Sequence, residues 1–164
     1  MPQKSLGQQN YDGFAYRYAH YAQDKAANAH YERPNTLALL TDVRGRRVLD
    51  AGCGTGLVGE LLYRQGCRNI DGLDYSPEML ARAREKQVYQ SLARQDLTQS
   101  LDIEDNIYDA VISVGTFTCG HVGPGAFDEL IRVTQPGGCI CFTVREQAWG
   151  EEDYHQTLHT FEKD

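Results

Sequence analysis

Short apolar runs of strand character recur along the chain, with helix-type spacing between them. The runs are RVLDA (47–51), NIDGLD (69–74), VYQSLA (88–93), YDAVISVG (108–115) and GCICFTV (138–144). Between them, Leu57, Val58, Leu61 and Leu62 share one helical face. Phe127, Leu130 and Ile131 stand at i, i+3 and i+4 ahead of Pro136-Gly137-Gly138, a helix stop. Ser76 before Pro77 marks a helix start, because Pro fits the first helical position, where its missing N–H has no intrahelical partner to lose. Helices are therefore expected at 34–42, 57–65, 77–86 and 124–134. Strands alternating with helices predict a doubly wound, parallel α/β sheet.

The first forty residues read differently. Tyr11, Phe14, Tyr16, Tyr18, Tyr21 and Tyr31 crowd a stretch rich in Ala, Gln and Asn, and Phe14, Tyr18 and Tyr21 would line one helical face. Such a stripe either docks the segment on the sheet or forms a lid over a ligand.

At 164 residues, 41% hydrophobic and 24% charged, the chain is long enough for one domain with a real core and too apolar for disorder. Its 23 acidic residues against 16 Lys and Arg give a net charge of −7. Proteins that grip phosphate backbones use clustered Lys and Arg, so a nucleic-acid partner is disfavoured. The five cysteines (Cys53, Cys67, Cys119, Cys139 and Cys141) are odd in number and lie in apolar or Gly-rich segments, unlike a disulfide framework. With no signal-peptide pattern in MPQKSLGQQN and no apolar run long enough for a membrane span, a cytoplasmic protein is expected.

The strongest chemical signal is VLDAGCGTGLVGE (48–60), where a strand ends and Gly52, Gly54 and Gly56 follow at alternate positions before a helix begins. Glycines are needed where backbone turns sharply and must meet a ligand with no side chain between them. In open α/β sheets ligands sit at the carboxyl ends of the strands. Gly54, Gly56 and Gly59 also satisfy the G-x-G-x-x-G dinucleotide fingerprint, with Asp74 20 residues after Gly54. That leaves an NAD(P)-dependent oxidoreductase as an alternative. Asp50 weighs against it, since a carboxylate at the strand tip would repel a pyrophosphate and would suit a cationic ammonium or sulfonium. Asp74, ending the second strand, can accept two ribose hydroxyls.

The D-x-G-x-G-x-G pattern resembles the first motif of class I S-adenosylmethionine-dependent methyltransferases. LDYSPEMLARAR, YDAVISVGTFT and IRVTQPGG extend the resemblance over about Tyr11 to Val144. Within the class the chain resembles the methyltransferase-like protein 27 group of the Williams-Beuren region. The resemblance implies a Rossmann-like fold with S-adenosylmethionine as cofactor, divided into an aromatic-rich cap (1–45), a donor-binding core (46–146) and an acidic tail (147–164). It places the donor's methionine part at Asp50, Gly52 and Gly54, its ribose at Asp74, and its adenine at Asp96 and Leu97, between Tyr75 and Met79. Val114 and Gly115 would run beside the donor, with Tyr18 or Tyr31 closing over it. His121, in TCGHVG, is a candidate general base, set against a simple loop histidine. Cys139 and Cys141 alternate on one strand and should point to one face; with no further ligands near in sequence, a metal site is not expected.

Members of the class carry two more strands at the far edge of the sheet. Only five strands are visible here, so GCICFTV is expected as an uncovered edge, in a sheet lacking its last two strands. The expected activity is methyl transfer to a small-molecule acceptor, with a protein acceptor as the alternative. A donor-binding module without catalysis is the third reading.

Overall fold

The apolar runs become strands because β-branched and other apolar side chains on both faces can be buried only between two helical layers. In a computed structural model, which describes residues 32–151 and 153–161, the strands are β1 (Arg47–Ala51), β2 (Asn69–Asp74), β3 (Ser91–Arg94), β4 (Tyr108–Phe117) and β5 (Thr134–Val144). They form one parallel sheet of order β3-β2-β1-β4-β5. The helices are α1 (Arg33–Ala38), α2 (Leu57–Arg64), α3 (Pro77–Glu85), α4 (Phe127–Val133), α5 (Glu146–Glu151) and α6 (Tyr154–Phe161). The doubly wound α/β expectation is met.

Residue alternation sends each strand's side chains to opposite layers. Leu49 and Ala51 of β1, Leu73 and Val111 face one core that includes Phe127, Leu130 and Val133 of α4. Val48, Ile70, Ala110 and Ile112 face the other, with Leu37, Val58 and Leu62. Helix α1 thus packs on the sheet, although the sequence division puts it with the cap. Helix α3 starts as expected: Ser76 is its N-cap, and its hydroxyl accepts from the Met79 N–H at 3.3 Å.

Three elements differ from expectation. Strand β3 begins at Ser91, because Val88-Tyr89-Gln90 is irregular and brings the Tyr89 ring inward; Gln87, at φ 57°, lies just after α3. Pro136-Gly137-Gly138 does not separate α4 from the last strand. Strand β5 starts at Thr134, and the proline and glycines form a bulge between Tyr108↔Thr134 and Ala110↔Cys139. The stretch expected as an acidic tail (147–164) carries most of α5 and all of α6, which the sequence patterns do not mark as helices. The physical reason is aromatic burial: Tyr154 is fully buried, edge-on to Phe117 at 6.2 Å, with its O–H donating to the Val122 carbonyl at 3.1 Å. These helices cover a face of the sheet; β5 remains an edge strand among the described residues.

Candidate functional site

Strand order reverses between β2-β1 and β4-β5, so the chain leaves β1 and β4 toward opposite layers and opens a crevice at their carboxyl ends. The glycine loop fills the β1 side of that crevice. The Leu73 carbonyl at the end of β2 accepts from both Gly52 N–H and Cys53 N–H at 2.8 Å, pinning the start of the loop. Gly52 has φ 76°, and a Cβ there would lie 2.3 Å from the Thr116 hydroxyl oxygen of β4, so only glycine fits. Gly54, at φ 54°, is the opposite case. Space beyond its missing side chain is open, as a loop meant to meet a ligand requires.

Asp74 ties the second strand to this loop. Its Oδ2 accepts from Gly54 N–H at 2.8 Å and its Oδ1 from Ser76 N–H at 2.9 Å. Burial raises its pKa, against the lowering effect of these N–H groups. The structure brings Gly52, Gly54 and Asp74 together at the tips of β1 and β2.

Asp50 sits lower than a cleft residue. It is 1% exposed, and its carboxylate lies beneath the loop, where Tyr89 Oη donates to Oδ2 at 2.7 Å. Burial lifts its carboxyl to about 7, the Tyr89 hydrogen bond and Gly59 N–H pull it down, and the Asp74 charge adds to the rise. Because the folded pKa is raised, stability from this group is full below the unfolded value and is lost as pH rises through about 7. Asp50→Asn cannot ionise. It should therefore gain about 2 kcal/mol on the wild type between pH 5 and pH 8, read as diverging chemical-denaturation curves. Parallel curves at the two pH values would refute a buried, ionising Asp50.

Tyr89 is the residue that sequence reasoning misses, because VYQSLA (88–93) reads as a strand-type run. A Cβ on Gly59 would lie 2.3 Å from its ring, and one on Gly72 would lie 2.9 Å from it. Gly72 is the register partner of Asp50 on β2. The usable signal was this pair of small residues facing one another, which leaves a hole that an aromatic must fill. Gly59 therefore serves Tyr89, which removes the need for a dinucleotide reading of Gly54, Gly56 and Gly59.

The remaining candidates lie around these. Tyr75 stacks under the Arg94 guanidinium, 4.8 Å from the ring centroid, whereas Met79 is 2% exposed and mainly core. Asp96 folds into a turn, its Oδ1 accepting from Thr98 N–H at 2.9 Å and from the Thr98 hydroxyl at 2.6 Å. Leu97 is buried by its side chain. Val114 is half-buried and Gly115 exposed; Gly115 N–H donates to Thr143 Oγ1 at 2.9 Å, and that hydroxyl donates to Glu32 at 2.7 Å. His121 lies in the turn after β4, its N–H on the Thr118 carbonyl at 3.1 Å. Tyr18 and the other N-terminal aromatics, Tyr31 included, lie outside the described residues. Cys139 and Cys141 do share a face, their sulfurs 3.4 Å apart, and none of the five cysteines is in a disulfide. Among the described residues no cluster of three or more His, Cys, Asp or Glu could hold a metal. No described helix is long and apolar enough to cross a membrane.

An open parallel α/β sheet with a glycine loop after β1 and an acid ending β2 defines a Rossmann-like nucleoside-binding domain. Comparison with known proteins makes this specific. The methyltransferase domain family matches residues 49–142, and the chain belongs to that family. Human methyltransferase-like protein 27 is 41% identical over 99 residues, which are 60% of this chain and 40% of that protein. Malonyl-[acyl-carrier protein] O-methyltransferase of Pectobacterium atrosepticum is 37% identical over 134 residues, 76% of this chain and 52% of that one. The chain thus spans about half or less of these curated relatives. An S-adenosylmethionine-dependent methyltransferase from Mesorhizobium loti superposes with a TM-score of 0.61 at 27% identity, covering 75% of this chain and 55% of its own. S-adenosylmethionine is accordingly the cofactor of this fold, and the oxidoreductase alternative falls away.

Proposed function

We propose that the protein transfers the methyl group of S-adenosylmethionine to a small-molecule acceptor in a reducing, cytoplasmic compartment. The observation that carries this reading is the union of the open Gly54 peptide with Asp74, whose carboxylate bonds it at 2.8 Å. The residues fit the donor: the tips of β1 and β2 carry acids, which suit a cationic nucleoside better than a pyrophosphate. Gly52 and Gly54 would hold its methionine part, Asp74 its ribose, and Asp96 and Leu97 its adenine, beside Tyr75 and Met79. Val114 and Gly115 would flank it, with Tyr18, in the cap over residues 1–45, closing above.

When bound, the donor supplies an electrophilic methyl group on a sulfonium. The protein's part is to align and desolvate, so no side chain has to act as a nucleophile. His121 would take a proton where the acceptor is a hydroxyl or an ammonium. One relative is named for an acyl group on a carrier protein, which favours a carrier-bound acyl acceptor as the second reading.

Calorimetric titration of the chain with S-adenosylmethionine, S-adenosylhomocysteine and NAD tests the donor assignment. Micromolar binding of the first two and none of NAD is expected. Binding of NAD alone would overturn the reading, and acceptor screening of small molecules against acyl-carrier substrates then separates the two acceptors.

A further inference from the structure

The Tyr89 phenol has no part in the site as read from sequence, yet it occupies the space beneath it. Its ring fills the gap left by Gly56, Gly59 and Gly72, at distances no Cβ on Gly59 or Gly72 would tolerate. Its hydroxyl reaches Asp50 Oδ2 at 2.7 Å. A tyrosine serving only to fill that gap would need no hydroxyl, and this one is aimed at a buried carboxylate two residues before Gly52, where the glycine loop begins.

We propose that Tyr89 is a positioning residue for donor recognition: by hydrogen-bonding Asp50 it keeps a negative charge beneath the glycine loop, where it favours a sulfonium over the neutral thioether of the product. This rests on the donor reading given above. The physical basis is that an O–H donor stabilises the ionised form of a buried carboxylate, and a charge in a dry interior is felt by a cation across several ångströms. Asp50 is also faced by Asp74 at the tip of β2, by Cys53 in the loop and by Gly59 N–H of α2. Outside these, Lys86 at the end of α3 is paired with Glu60 of α2 at 3.1 Å. Asp74 opposes ionisation of Asp50 and Cys53 supplies no cation, so Tyr89 is the side chain on the favourable side of that balance.

Tyr89→Phe keeps the ring and deletes the hydroxyl. Dissociation constants for S-adenosylmethionine and S-adenosylhomocysteine are measured by calorimetry at pH 6, 7 and 8 for the wild type, Tyr89→Phe and Asp50→Asn. Wild-type affinity for S-adenosylmethionine should rise with pH more than affinity for the product. Tyr89→Phe should lose about tenfold for S-adenosylmethionine at pH 7, lose less for the product, and move the pH midpoint upward. Asp50→Asn should show no pH course in the ratio of the two affinities. Equal losses for both ligands with an unmoved midpoint would mean a packing role only and overturn the proposal. So would a pH course that survives in Asp50→Asn, which decides the matter even if Tyr89→Phe fails to fold. Wild-type protein that binds neither ligand would overturn the donor reading itself, a failure distinct from either of these.

Discussion

Replacing Asp74 with Ala is expected to weaken S-adenosylmethionine binding about a hundredfold, because the change removes charge-assisted hydrogen bonds on two sides at once. On the ligand side it deletes the acceptor proposed for the ribose hydroxyls. On the protein side it releases Gly54 N–H and Ser76 N–H, the groups that hold the loop and the start of α3. Asp74→Asn retains one oxygen acceptor but loses the charge, so it should fall between the Ala variant and the wild type. Titration calorimetry on both variants checks the order. An Ala variant that bound as well as the wild type would remove Asp74 from the site.

The largest loss of stability is expected away from the cleft, at Asp71 in the middle of β2. Its side chain is 6% exposed and gathers three elements: Arg47 Nη2 at 3.0 Å, Ser91 Oγ at 2.6 Å and Tyr108 Oη at 3.1 Å. Burial, followed by the charge of Asp71, holds the Tyr108 phenol well above its ordinary pKa, so its O–H stays a donor. Asp71→Ala leaves the buried Tyr108 hydroxyl without its acceptor, while the exposed Ser91 hydroxyl can turn to water. Arg47 is 42% exposed and can turn to water, which limits the damage. About 3 kcal/mol should be lost, seen as a melting temperature lower by roughly 10 °C. Asp71→Asn, keeping an acceptor, should lose less. A shift of a degree or two in the Ala variant would show that the network contributes little.

The strands and helices nearest the loop were legible because each is a local matter. RVLDA and NIDGLD became β1 and β2 at their expected bounds, and Ser76-Pro77 opened α3, since capping and apolar runs act within a few residues. Gly52, Gly54 and Asp74 were legible for a related reason: a glycine needed for a turn is needed whatever surrounds it. The failures were non-local. VYQSLA reads as a strand until its tyrosine is seen to fill a hole made by glycines 17 and 30 residues earlier in the chain. HQTLHTF, read within an acidic tail, is a helix because Tyr154, just before it, finds Phe117 and Phe127 far upstream.

Sequence alone determined the fold class, the glycine loop and the acid that ends the second strand, because hydrophobic period and backbone chirality are properties of neighbouring residues. Only the tertiary structure decided what Asp50 does. A motif reading sets it facing a ligand; the folded chain turns its carboxylate beneath the loop, against Tyr89. That choice depends on Gly59 and Gly72 meeting across a helix and a strand to leave room for one ring, and space of that kind comes into being only when distant segments pack.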